Sequence, residues 1–168
     1  AGLARAHGQG AWRVRLTVSA RGEIELQCQA LAASPAQVQL ALAATPIATD
    51  GPAAEFLQHK TTRREIYQAF TEAKPAEAFD ALLWNAAGEL TECSFGNIAL
   101  QIEGRWLTPR LAAGLLPGVY REELLQQGRL IEARLMTSDL ARAEGLAFFN
   151  SLRGWIPASL CEISRQTC

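Results

Sequence analysis

Short apolar runs broken by turn residues fill most of the sequence, and this rhythm restricts the chain to a sheet with few helices. "WRVRLTV" and "EIELQCQ" alternate polar and apolar residues around "SARGE", the pattern of a hairpin. "SPAQVQLALAATPI" reads as a turn and a strand, and "AFDALLWNAAGELTE" as strand, turn and strand. "FGNIALQIEGRWLTP" adds two strands around "EGR". Helical spacing shows at Ile66, Tyr67 and Phe70 in "TTRREIYQAFTEA". A second helix follows the turn Pro117-Gly118 in "GLLPGVYREELLQQGRL", with Glu122 and Glu123 in its first turn. "IEARLMTSDLARAEG" reads as a short strand, Ser138 as N-cap and a short helix. "LAFFNSLRGWIPASL" is an apolar strand that breaks at "NS". The expected fold is α+β, a mainly antiparallel sheet with flanking helices.

A chain of 168 residues is expected to form one domain, 1–168, with a substantial core. An apolar fraction of 49% and a net charge of −1 favour globular folding and give no bulk attraction to nucleic acid. Cys28, Cys93, Cys161 and Cys168 lack CxxC or zinc-ligand spacing, so no metal site is expected; reduced thiols in a cytoplasmic protein fit them. No apolar run approaches the roughly 20 residues that span a bilayer. The chain starts without methionine and enters a strand almost at once, which reads as a fragment of something longer.

Four polar sites interrupt the apolar framework at element boundaries: Lys60, Glu92 in "LTECSFGNI", the turn "GLLPGVYR", and Asn150-Ser151 after "LAFF". Boundaries are where scaffolds present chemistry. Each has a plain alternative: a solvated charge, a strand-end carboxylate, an ordinary turn, a hairpin corner. Lys60 stands out because the chain has two lysines against fourteen arginines.

The order Lys60, "LTECSFGNIAL", "LTPRLAAGLLPGVYR" and "FFNS", over about residues 12–160, resembles the fold-type IV pyridoxal phosphate enzymes. That family holds branched-chain and D-amino-acid aminotransferases and aminodeoxychorismate lyases. "HKTTRR" with "GLLPGVYR" looks closest to the lyases, particularly those fused behind a para-aminobenzoate (aminodeoxychorismate) synthase component.

The resemblance implies pyridoxal 5'-phosphate as cofactor and assigns roles. Lys60 looks like the Schiff-base lysine, near a strand end in "AEFLQHK", since only lysine offers a side-chain primary amine. Arginine stays protonated and cannot replace it. Glu92 and Asn97 match the family's T-E-x-x-x-x-N pattern in "TECSFGN"; the glutamate keeps the pyridine nitrogen protonated. For Asn97, holding the loop and a direct role both stand. Leu116 would cover the cofactor ring, Gly118 shape the turn, and the N–H groups of Val119 and Tyr120 bind phosphate at a helix start. Tyr120 stands where the family often has Thr or Ser. Ser151 would add a phosphate hydrogen bond, and Arg63 and Arg64 face phosphate or substrate carboxylates or else make surface salt bridges.

The family's N-terminal small domain, with its phosphate arginine, has no counterpart before Lys60, so a C-terminal cofactor-binding fragment is expected. Three activities follow from the resemblance. The first is a lyase making 4-aminobenzoate and pyruvate from 4-amino-4-deoxychorismate in folate biosynthesis. The second is a branched-chain or D-amino-acid aminotransferase, and the third a non-catalytic domain of a fused synthase. A small-molecule substrate and a homodimer are expected in the first two.

Overall fold

The structure is a computed structural model that describes residues 9–52 and 54–161. It divides into two compact units between Ser34 and Pro35, where one domain was expected from the sequence.

The first unit holds the anticipated hairpin. Strands β1 (Trp12–Val18) and β2 (Ile24–Ala30) pair antiparallel, with Leu16 opposite Leu26 and Val18 opposite Ile24. Ser19 Oγ accepts from the N–H groups of Arg21 and Glu23, and Gly22 takes φ 81° to close the turn. Val14, Leu16, Val18, Ile24 and Leu26 all remain exposed.

The second unit is built on an eight-stranded sheet. Its strands are β3 (Val38–Leu42), β4 (Asp80–Trp84), β5 (Leu90–Cys93), β6 (Asn97–Ile102), β7 (Arg105–Pro109), β8 (Ile131–Ala133), β9 (Gly145–Asn150) and β10 (Gly154–Leu160). They lie in the order β5-β4-β3-β10-β9-β6-β7-β8. β4–β5, β6–β7, β6–β9 and β9–β10 run antiparallel, whereas β3–β4, β3–β10 and β7–β8 run parallel. The sheet is therefore mixed rather than simply antiparallel. The parallel pairs come from long crossovers, which strand-by-strand periodicity does not reveal. At the far edges Leu90 donates to the Leu135 carbonyl at 2.8 Å and Glu89 bridges Met136, so the sheet curls until its two ends meet.

Two α-helices cover it: α1 (Glu65–Ala73) and α2 (Val119–Gln126). Period-2 alternation distributes the core. On β4, Leu82 enters the main cluster with Leu40, Ile98, Leu100 and Phe148. Its neighbours Ala81 and Leu83 face Ile47, Leu57 and Tyr67 of the α1 side. On β6, Ala99 turns to Leu124 and Phe149 beneath α2.

Two local expectations are corrected. Ala54–Gln58 forms a short 3-10 helix with Leu57 buried, so Lys60 follows a helical turn and not a strand. Ser138 lies inside the 3-10 helix Thr137–Ala141, whose N-cap is Met136. The Asp139 carboxylate folds back onto the Met136 N–H at 2.7 Å and takes over the capping work. Cys28, Cys93 and Cys161 are free thiols, while Cys168 lies outside the described residues. Among the described residues no helix is long and apolar enough to cross a membrane.

Candidate active site

Glu92 is the penultimate residue of β5 and is 4% exposed. Burial this deep is unusual for a carboxylate, and the surrounding donors explain how it is tolerated. The Tyr67 hydroxyl on α1 donates to its Oε1 at 2.7 Å, and the Leu116 N–H donates to its Oε2 at 3.2 Å. Burial still outweighs these bonds and pushes the Glu92 carboxyl up to about 7, while the charges of Arg64 and Lys60 pull the other way. Lys60 is thus close enough for its ammonium to act on Glu92. It sits exposed in the loop between the 3-10 helix and α1.

Three of the four boundary sites, Glu92, the "LLPG" turn and the Asn150-Ser151 corner, are stitched together. Asn97 donates from its amide to the Leu116 carbonyl at 3.0 Å. Glu92 and Asn97 therefore grip both the N–H and the C=O of Leu116, and Asn97 serves as the clamp of the "LLPG" turn. Gly118 lies against that clamp, since a Cβ there would stand 2.2 Å from Asn97 Oδ1. Arg64 donates to the Ser94 carbonyl, and its guanidinium lies 4.5 Å from the Tyr67 ring centroid and 4.9 Å from that of Phe95. Asn150 donates to the Phe95 carbonyl at 3.0 Å and, through Oδ1, accepts from Leu152 and Arg153 to shape the turn that carries Ser151. Asp80, at the start of β4, accepts from Ser94 N–H at 3.2 Å and Phe95 N–H at 2.9 Å, fixing the same loop from below.

The remaining sequence candidates are less central. Val119 and Tyr120 open α2, where their N–H groups belong to the unpaired first turn. The Val119 side chain is exposed, and the Tyr120 ring packs edge-on to Phe149 with centroids 6.1 Å apart. Ser151 is exposed. Arg63 lies over the Phe56 ring at 5.0 Å, on a cavity of about 400 Å³ lined by Phe56, Glu65 and Ile66, none of which holds Glu92. Sequence reading missed the roles of Tyr67 and Asp80. Tyr67 looked like one more apolar helical position, and Asp80 like a strand start; no local pattern marks either as a partner of the loop after β5.

The architecture defines the class first. The chain superposes on 4-amino-4-deoxychorismate lyase from Pseudomonas aeruginosa with a TM-score of 0.69 at 21% identity, over 95% of this chain and 66% of that one, which shows a shared fold. A candidate amino-acid aminotransferase from Mesorhizobium loti gives a TM-score of 0.85 and 36% identity, covering 95% of this chain and 78% of that one. The profile of the class IV amino-transferase family matches residues 2–161, and the chain belongs to that family. A candidate aminodeoxychorismate lyase of Schizosaccharomyces pombe is 38% identical over 101 residues, 56% of this chain and 44% of that protein. The chain spans less than half the length of the curated relatives it matches.

Proposed function

We propose that the chain is the cofactor-binding part of a pyridoxal phosphate-dependent lyase that converts 4-amino-4-deoxychorismate to 4-aminobenzoate and pyruvate, a step toward folate. The observation that carries the cofactor reading is the environment of Glu92. A buried carboxylate with two neutral donors keeps unused lone pairs, because it can accept about four hydrogen bonds. Its raised affinity for a proton suits a ring nitrogen whose N–H⁺ would neutralise it. The donor set therefore fits the cofactor.

Bound there, pyridoxal phosphate supplies an electron-accepting ring. Glu92 would hold the ring nitrogen's proton, and Leu116, fixed at both its N–H and its C=O, would pack against the ring. The first N–H groups of α2, at Val119 and Tyr120, bind the phosphate with help from Ser151. Lys60 Nζ is the covalent anchor. Once the substrate's amine had freed it, Lys60 would serve as the base for the proton on the carbon that bears that amine. Loss of that proton with cleavage of the ring carbon–oxygen bond would leave the ring aromatic as 4-aminobenzoate and expel enolpyruvate, which would take up a proton at its methylene carbon to become pyruvate.

The lyase branch rests on "HKTTRR" and "GLLPGVYR" and on the 38% identity with the S. pombe protein. The 36% identity with the M. loti protein favours an aminotransferase as a second reading, with the same Lys60 and Glu92. The working protein in either case is a homodimer in the cytoplasm, free-standing or fused to the synthase. One assay separates the readings. Pyruvate release from aminodeoxychorismate without an amino acceptor marks the lyase, and dependence on 2-oxoglutarate marks the transferase. Neither, in a protein that binds the cofactor, overturns both and leaves a silent domain.

A further inference from the structure

Tyr67 reaches Glu92 from a different element and from seven positions beyond Lys60. It is buried, and its hydroxyl donates to Glu92 Oε1 at 2.7 Å. Burial and the Glu92 carboxylate push the phenol far above its ordinary value, so it stays protonated and acts only as a donor. Its ring carries the Arg64 guanidinium at 4.5 Å, and Arg64 in turn holds the Ser94 carbonyl. One residue thus joins the helix entered from the Lys60 loop to the carboxylate and to the loop beyond it. An apolar helix position packed in the Ile47–Leu57–Leu83 cluster would be served as well by phenylalanine, which has no hydroxyl. The hydroxyl is explained by Glu92 alone.

We propose that Tyr67 is a positioning residue for the active site, holding the Glu92 carboxylate in its charged form and aimed at the cofactor's ring nitrogen. The second half rests on the cofactor reading above; the first concerns only this chain. The titratable or charged groups facing Glu92 are Tyr67 on α1, Arg64 at its entry, Lys60 in the preceding loop and the buried Cys93 beside it, next to Asp80 on β4. Arg64 and Lys60 act at longer range, whereas Tyr67 is in direct contact. Removing its hydroxyl leaves a buried carboxylate with one fewer donor, and such a group takes up a proton.

The test uses the 168-residue chain labelled with ¹³C at glutamate and tyrosine, first without cofactor. Wild type should show a Glu92 carboxyl titration near pH 7, identified by its loss in Glu92→Gln, with the Tyr67 Cζ resonance moving at the same midpoint. Tyr67→Phe should raise the Glu92 midpoint by a unit or more and, when pyridoxal phosphate is added, weaken its binding about tenfold. An unchanged midpoint in folded Tyr67→Phe overturns the proposal. Should that variant not fold, independent Tyr67 and Glu92 midpoints in wild type overturn it equally. Failure of wild type to bind pyridoxal phosphate would sink the functional reading and leave the Tyr67–Glu92 result standing.

Discussion

The Asn97 amide and the Leu116 carbonyl are joined by a 3.0 Å hydrogen bond across nineteen residues of sequence. With the Leu116 N–H on Glu92, it makes the "TECSFGN" and "LLPG" segments one object. Two motifs that look independent along the chain meet at one residue in space.

Lys60 is expected to be the residue that pyridoxal phosphate labels. Borohydride reduction of the chain mixed with the cofactor should place the added mass on the peptide holding Lys60 and none on Lys74. Lys74 donates to the Ala78 carbonyl at 2.5 Å, beyond the end of α1. Lys60→Ala should lose the label and keep the fold. Label on Lys74 would withdraw Lys60 as the anchor.

The stability of the chain should fall as pH rises from about 4.5 to 7. Glu92 has an ordinary value of 4.5 and is pushed up to about 7 in the fold, so between these limits the folded state keeps a proton that the unfolded state has lost. The group's contribution is fully present below pH 4.5 and gone above 7, a difference on the order of 3 kcal/mol. Urea unfolding at a series of pH values should show this decline in wild type and a flatter profile in Glu92→Gln. Parallel profiles for the two proteins would refute it.

Asp80→Asn should destabilise the chain by about 1–3 kcal/mol. Its two oxygens accept from three N–H groups, those of Ala81, Ser94 and Phe95. An amide offers one oxygen and turns a donor toward a donor. Denaturant midpoints measure the loss, and hydrogen exchange at Phe95 should speed up more than exchange in α2.

Arg121 is 1% exposed, donating to the Pro109 carbonyl at 2.7 Å and to Glu132 at 2.6 Å. It fastens the first turn of α2 to β7 and β8. Arg121→Met should cost about 1.5–3 kcal/mol, because bonds from a charged donor are lost while the apolar volume is nearly kept. Thermal unfolding should show a Tm roughly 3–12 °C lower. A Tm equal to that of wild type would show that helix packing alone holds the turn.

Much of the sheet was legible because its signals are local. The apolar run "ALLW" before the "NAAGE" turn marked β4, and the Glu103-Gly104 turn, with φ of 51° and 71°, joins β6 to β7 where "EGR" suggested it. β10 was harder to see, because Pro157 argues against an interior strand. It is tolerated because β10 meets β3 only from Ala158 onward, leaving Pro157 without a partner on that side. The four polar blocks were visible one by one, but the joining of three of them was not. The contacts of Tyr67 with Glu92, Asp80 with Phe95 and Asn150 with Phe95 span 25, 15 and 55 residues, and no period or propensity encodes them.

The contact between Gly118 and Asn97 also restrains how the sequence can change. A methyl group at 118 has no room while the Asn97 oxygen stands 2.2 Å from where it would go. A shorter side chain at 97 would open that space but release the Leu116 carbonyl. A side chain at 118 therefore needs a change at 97 or a reshaped turn, whereas a change at 97 leaves Gly118 its room and costs the Leu116 bond. The dependence runs one way, from position 118 to a residue twenty-one positions before it.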